Sequence, residues 1–367
     1  MNDMLCDEIK VRLSPSLPND EHFMAMAIDE AKQGEFTTRP NPCVGCLIVK
    51  DNLIIGRGFH PKAGQPHAEV FALQDAKEQG VSVQGATAYV TLEPCSHFGR
   101  TPPCAGALIQ SGVARVVIAS LDPNPQVAGK GVAMLLNAGI AVSVGVCERE
   151  AWALNKGFLK AMATGLPFVR LKLGVSLDGR VAMASGESKW ITSETSRADV
   201  QRLRAKSGAI ITGSGTILAD DPALTVRLPD VELANIGTTP IPQPKIVVVD
   251  RTDKTATANQ RDSYQVFKDN NTLVWQDDLP TLLKTLVAQY QCYDVLVETG
   301  ATLASSFLQQ DLVDELIIYQ APCLLGVNSK PMFVGEFELL KDKLDFELQE
   351  VVKLGQDVRL TLTPKVK

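Results

Sequence analysis

The chain has 367 residues, 45% hydrophobic and 21% charged, with a formal net charge of −6 at pH 7. That length implies two domains of ordinary size, and the acidic balance gives no bulk attraction to nucleic acid or an anionic membrane, so an anionic substrate must be caught by local Arg and Lys. No uncharged apolar run is long enough to span a bilayer, residues 1–19 lack an apolar h-region and read as a loose N-terminal extension, and the eight cysteines are expected as thiols in the cytoplasm.

From Glu21 onward, Phe23, Met24, Ala27, Ile28 and Ala31 share one helical face, with Asn19 or Asp20 to cap its start and Gly34 to stop it. CVGCLIV (43–49) and LIIGRGFH (53–60) are predicted strands joined by a turn at Lys50, Asp51 and Asn52. A helix over 68–80, a strand over 86–92, a helix over 104–112, a strand over 115–120, a helix over 129–139 and a strand over 140–146 follow. Helices alternating with nearly continuous apolar strands predict a three-layer α/β domain over residues 20–165. Residues 148–165 read as one connecting helix, broken at Gly165-Leu166-Pro167. A second α/β domain, 166–367, opens with the strand in FVRLKLGVSLDGRVA. It runs through the helix 195–208, the strand AIITG (209–213), a long irregular segment, the strand KIVVVD (245–250) and ELIIYQAPCLLG (315–326).

All four histidines, 22, 60, 67 and 97, lie in the first domain. His67 opens a helix after Pro66, Cys95 follows a strand, and Cys104 opens another helix after Pro102-Pro103. Helix N-termini favour thiolate over thiol, which presets these groups for a metal. One imidazole and two thiolates leave a tetrahedral Zn²⁺ with an open position, the arrangement of a catalytic site, in which a water loses its proton near neutral pH. Glu69, with no metal to hold, is placed to take that proton and pass it to a leaving amine. His-x-Glu followed by Pro-Cys is the signature of zinc deaminases, although here eight residues separate the cysteines where the nucleoside form has two. A competing arrangement, a closed four-thiolate zinc of Cys43, Cys46, Cys95 and Cys104, is disfavoured because Val44-Gly45 lead straight into a strand, where Cys46 packs as a small core residue.

NPCVG (41–45), HAE (67–69) and TLEPCSHFGRTPPC (91–104) resemble the deaminase half of the bifunctional riboflavin-biosynthesis deaminase-reductases. The resemblance implies a cytidine-deaminase-like fold, and makes the loop 96–103 a lid fitted to a phosphoribosylated diaminopyrimidine, with His97 and Arg100 as candidate contacts.

In the second domain, Arg202, Arg204, Lys206 and Arg227 cluster near the turn Gly213-Ser214-Gly215-Thr216, where a phosphate or dinucleotide would be held. No Gly-x-Gly-x-x-Gly fingerprint is present, so hydride chemistry requires a fold other than Rossmann. KLGVSLDG, SGESKWIT, GTILADDPALTVR, VETGATLASSFL and VDELIIYQAPCLLG resemble the reductase half of the same family. That half is dihydrofolate-reductase-like and uses NADPH to open a ribose to ribitol. The resemblance puts Gly174, Trp190, Thr216, Asp220, Gly300, Ala301 and Thr302 on cofactor-contacting positions. It puts Ser188, Arg204, Leu224, Arg227 and Glu298 on phosphoribosyl-binding positions, with Lys172 and Asp220 as candidates to polarise or protonate the sugar. The family often has Glu-Gly-Gly where this chain has Glu298-Thr299-Gly300, and Asp178 reads as a turn former.

The reading is a bifunctional enzyme, a zinc deaminase and an NADPH reductase acting on a small phosphoribosyl pyrimidine, with no nucleic-acid or membrane partner. The apolar strand at 313–326 and the resemblance imply a homo-oligomer, dimer or tetramer. The alternative is a zinc base deaminase whose second domain binds a nucleotide without chemistry.

Overall fold

The structure, a computed structural model, describes residues 7–96, 103–124, 127–227, 240–256, 261–268 and 271–365. The chain forms two compact units, one ending at Thr164 and taking in residues 240–242, the other beginning at Gly165.

The first unit contains α1 (Asp7–Arg12), α2 (Asp20–Ala31), β1 (Gly45–Lys50), β2 (Leu53–Phe59), α3 (Ala68–Glu78), β3 (Thr87–Leu92) and α4 (Cys104–Ser111). It continues through β4 (Arg115–Ser120), α5 (Lys130–Asn137), β5 (Ala141–Val144), α6 (Glu148–Leu154) and α7 (Lys156–Thr164). Its sheet has the order β2-β1-β3-β4-β5, antiparallel at β2-β1-β3 and parallel from β3 to β5. Asp51 and Asn52 both have positive φ, 50° and 61°, the two-residue turn that matches strand twist in a hairpin. Alternation along the strands sends Cys46, Ile48, Val90, Val116 and Ile118 to one face, against residues of α3, α4 and α5. Leu47, Val49, Tyr89 and Val117 go to the other face, against α2 and α6. Three layers result. Gly56 and Gly58 of β2 lie so close to α3 that a Cβ on either would run into the carbonyl oxygens of Ala72 and Ala68. The start of α3, and His67 with it, is therefore set down directly on the hairpin.

Three local expectations change. Asp20 does not cap α2. Its Oδ2 accepts from Leu17 N at 2.6 Å, and its carboxylate takes both Arg115 Nη1 and Nη2 and the Tyr89 hydroxyl, because the side chain is fully buried. The single helix expected over 148–165 is two helices, divided at Asn155. Nor do residues 7–19 hang loose. Ile9 and Leu13 pack on the core, Ser14 N donates to Val142 O at 2.7 Å, and Ser143 Oγ and Arg115 Nη2 donate to Pro15 O. The segment thus covers β5, an edge strand that would otherwise offer unpaired groups.

The second unit contains β6 (Phe168–Val175), β7 (Arg180–Ala182), α8 (Glu194–Lys206), β8 (Ala209–Gly213), α9 (Ser214–Asp220), β9 (Lys245–Val249), β10 (Thr272–Trp275) and α10 (Leu279–Ala288). After these come β11 (Asp294–Glu298), α11 (Ala301–Gln309), β12 (Glu315–Gln320), β13 (Lys330–Pro331), β14 (Phe346–Leu354) and β15 (Asp357–Pro364). An eight-stranded sheet runs β10-β9-β8-β11-β6-β12-β15-β14, parallel from β10 to β12 and closed by an antiparallel pair. One face packs α10 and α11 through Leu282, Leu286 and Phe307. The other carries Ile210, Ile217, Leu296, Val200 and Tyr319. Helix α9 falls inside the segment expected to be irregular. In such a sheet the carboxyl ends of the parallel strands, with the helix starts that follow them, form the crevice where ligands bind.

Candidate active sites

In the first unit, three local features converge. His67 is the N-cap of α3, Cys104 the first residue of α4, and Cys95 follows β3. His67 Nδ1 lies 3.7 Å from Cys95 Sγ and 3.3 Å from Cys104 Sγ, and the three ligand atoms lie within 4.8 Å of one another. Ligands at zinc bonding distances in a tetrahedron sit roughly 3.6 Å apart, so the spacing fits that ion. Among the described residues it is the one such cluster of three or more metal-binding side chains. Cys95 Sγ also accepts from the backbone N–H of Cys104 at 3.3 Å. Hydrogen bonding from Cys104, with further help from His67, outweighs burial and pulls the Cys95 thiol down to about 4, while the same interaction and burial push Cys104 up. The shift of Cys95 is in the direction that favours thiolate, the form in which a cysteine binds a metal.

Glu69 lies 3% exposed beneath this cluster, with Oε2 buried and without a hydrogen-bond partner. Burial pushes its carboxyl up, opposed by the charge of His67. An orphaned carboxylate oxygen is costly in a folded chain; beside a metal-ligand triad it is the arrangement expected of a general acid-base. Both facts, the orphaned oxygen and the chemistry of the donor set, fit Zn²⁺. Cys43 and Cys46 are buried in the core outside the ligand set, and the described cysteines form no disulfide. His97 and Arg100 lie outside the described residues.

Sequence reasoning missed the residues that brace this site. His60 Nδ1 faces Pro66 O at 3.0 Å and its Nε2 faces Asn41 Nδ2 at 3.0 Å, so the ring is the Nδ1-protonated tautomer and holds the Asn41 amide in one orientation. Burial keeps that imidazole neutral by lowering its pKa. Asn155, at the break between α6 and α7, accepts from Cys43 N and donates to Cys43 O, both at 2.8 Å, fixing the loop after Asn41. Glu93, one residue before Pro94-Cys95, is 4% exposed and accepts from four backbone N–H groups, those of Asp122, Gly129, Gly131 and Val132. Its place beside Pro-Cys was the one available signal.

In the second unit, Lys172 of β6 and Glu298 of β11 are register partners on adjacent parallel strands, 3.9 Å apart. Arg204, reaching from α8, forms a two-pronged pair with Glu298 at 2.6 and 3.0 Å and donates Nη1 to Thr225 O at 3.2 Å. Burial alone would raise Glu298, but Arg204, Lys172 and Arg227 hold it below the usual carboxylate range. Burial, reinforced by Arg204 and opposed by Glu298, lowers Lys172. Arg227 is exposed, with Nη1 on Thr225 Oγ1 at 3.2 Å.

Asp220, the last residue of α9, accepts the Ser188 hydroxyl on both oxygens at 2.9 and 3.1 Å, and its carbonyl accepts Lys189 Nζ at 2.6 Å. Trp190 is 70% exposed, with the Arg197 guanidinium 4.4 Å from its ring. Thr216 lies in the first turn of α9, Gly300 is the N-cap of α11, and Ala301 and Thr302 begin that helix. A Cβ on Gly215 or Gly300 would meet nothing within 4 Å, so both helix starts stay open to a ligand at the sheet's carboxyl edge, as a dinucleotide requires. Gly174 faces Thr192. The Leu224 side chain is buried in the core; only its backbone, at φ 52°, is available to a ligand. Asp178 does more than shape its turn, since it also accepts from Leu325 N and Gly326 N at 3.1 and 2.8 Å and ties two loops at that edge.

A His-Cys-Cys cluster that fits zinc, beside a buried glutamate in a three-layer unit followed by a second α/β unit, is the arrangement of a zinc deaminase joined to a further domain. Residues 17–120 match the cytidine and deoxycytidylate deaminase zinc-binding region, and residues 167–360 match the RibD C-terminal domain. The riboflavin biosynthesis protein RibD of Escherichia coli is 50% identical over 94% of this chain and 99% of its own length, and that of Haemophilus influenzae 46% over 94% and 97%. Among solved structures, Acinetobacter baumannii RibD, form 1, superposes with a TM-score of 0.88 at 52% identity, covering 96% of this chain and 100% of its own. A Thermotoga maritima diaminohydroxyphosphoribosylaminopyrimidine deaminase/5-amino-6-(5-phosphoribosylamino)uracil reductase gives 0.83 at 33%, covering 94% and 99%. The chain belongs to the RibD family of bifunctional riboflavin-biosynthesis enzymes.

Proposed function

We propose that the first unit replaces the ring amine of 2,5-diamino-6-ribosylamino-4(3H)-pyrimidinone 5′-phosphate with oxygen. The second then reduces the ribosyl group of that product with NADPH, giving 5-amino-6-ribitylaminouracil 5′-phosphate. The observation that carries the reading is the partnerless, buried Glu69 Oε2 beside His67, Cys95 and Cys104. When bound, zinc makes water a nucleophile at neutral pH. Glu69 Oε2 receives the proton of that water and returns it to the leaving ammonia; its raised pKa brings it nearer the operating pH, as such a shuttle needs.

In the second unit NADPH supplies hydride when bound. Gly174, Trp190, Thr216, Asp220, Gly300, Ala301 and Thr302 hold it, a reading supported by the open starts of α9 and α11 at Gly215 and Gly300. Ser188, Arg204, Arg227, Glu298 and the Leu224 backbone hold the phosphoribosyl group. Lys172 and Asp220 polarise or protonate the sugar. The enzyme works in the cytoplasm as a homo-oligomer. No helix among the described residues is long and apolar enough to cross a membrane.

The test is a two-step assay on the purified chain with the diaminopyrimidine ribosyl phosphate, following ammonia and then NADPH, with and without a zinc chelator. Ammonia followed by NADPH oxidation, both stopped by chelator, is the expected result. Ammonia without NADPH oxidation would reduce the second unit to a binding module.

A further inference from the structure

We infer that Glu93 is a positioning residue for the zinc ligand Cys95: its carboxylate, clasped by the first turn of α5, sets where the Cys95 sulfur points. The inference rests on the zinc reading above. Glu93 Oε1 accepts from Gly131 N at 2.9 Å and Val132 N at 3.2 Å. Its Oε2 accepts from Gly129 N at 3.0 Å and, from the loop after β4, Asp122 N at 3.4 Å. Gly129 is the N-cap of α5, so three of these donors are the N–H groups that a helix start leaves without partners, and the negative charge sits at the favourable end of the helix dipole. The side chain is an anchor on a rigid element.

From that anchor to Cys95 the chain has one intervening residue, Pro94, whose ring fixes φ. The Pro94 carbonyl is pressed against Gly131, where a Cβ would collide with it. Beyond Cys95 the start of α4 takes over: Ala105 N donates to Cys95 O at 3.2 Å and Cys104 N to Cys95 Sγ at 3.3 Å. The segment 93–95 is held by two helix N-termini, that of α4 at Cys95 and that of α5 at Glu93 and Pro94. A residue that only capped α5 would affect stability and leave the metal alone, so the two roles separate experimentally.

The experiment uses the full chain with Glu93→Gln and Gly131→Ala, measuring zinc affinity by competition with a chromogenic chelator, then kcat and KM for ammonia release at saturating zinc. Thermal melting of each variant followed by circular dichroism serves as the control for folding of the first unit, and turnover of the second unit on its own substrate as the control for the amount of intact chain. E93Q keeps the shape but turns amide hydrogens towards backbone N–H groups. It is expected to weaken zinc at least tenfold, as loss of an outer support to a metal ligand does, and to lower kcat more than it raises KM. G131A, whose Cβ would collide with the Pro94 carbonyl and crowd Glu93 Oε1 at 3.1 Å, disturbs the same anchor from the α5 side; it should show the same signature to a smaller degree, and decides alone if E93Q does not fold. Variants that melt earlier but keep the parent's zinc affinity and kcat would overturn the role. A parent that binds no zinc would overturn the zinc reading and this inference together.

Discussion

The two sites handle buried charge in opposite ways. In the first unit Glu69 keeps a carboxylate oxygen buried and partnerless, next to three side chains that form a cation site. In the second, Glu298 is engaged by Arg204 at 2.6 Å and approached by Lys172 at 3.9 Å, so its charge is neutralised from within the protein. A site built around an incoming cation stores an unsatisfied acceptor and gives up stability for reactivity. In the second unit two cations outnumber the one carboxylate, and Glu298 offsets part of the cost of keeping Arg204 buried.

The sharpest break of that comparison is Glu69→Gln. Ammonia release should fall by roughly 10²–10⁴-fold, the range of a lost acid-base group, with zinc stoichiometry and second-unit turnover retained. A loss of zinc instead would make Glu69 a support of the metal. Next in size, Glu298→Ala leaves buried Arg204 and half-buried Lys172 without their counter-charge and should cost about 3–5 kcal/mol of second-unit stability in denaturant titrations. A change well below that would show Arg204 and Lys172 to be solvated in solution.

Acid should act on the second unit through Asp250 and Asp357. Burial raises both, but bonds from Thr255 and Lys254 to Asp250, and from Ser193 and Ser196 to Asp357, leave them lowered. A lowered carboxyl binds fewer protons folded than unfolded. Its stabilisation is present above the unfolded value of about 4 and lost as pH falls below it. Asp250→Asn and Asp357→Asn should therefore flatten the acid limb of a stability-pH curve; an unchanged limb would place the acid response elsewhere. The smallest effect is expected of Cys43→Ala, which should leave zinc content as it is, because Cys43 packs beside Thr38 Oγ1 at 3.6 Å and not in the ligand set. Loss of the metal would reopen the four-thiolate arrangement.

The sequence by itself pointed to His67, Cys95, Cys104 and Glu69 as candidate site residues, to the alternation of strands and helices from α2 to β5, and to candidate chemistry at helix starts. Each of these is a local signal: a histidine or cysteine beside a proline at the head of an apolar period, or a run of alternating burial. Only the tertiary structure decided the partners of those residues. Asp20 looked like a cap and became the acceptor for Arg115 and Tyr89, 95 and 69 residues away. Arg204, Lys172 and Glu298 stood in the sequence as separate family positions, and parallel pairing of β6 with β11 under α8 joined them into one network. Asn155 and His60 carried no signal of their own, and Glu93 only its place beside Pro-Cys, because a bracing residue is defined by the backbone it touches, and that backbone lies elsewhere in the chain. A side chain's chemistry is written at its own position, while its charge state, orientation and partners are set by long-range packing that no short stretch of sequence encodes.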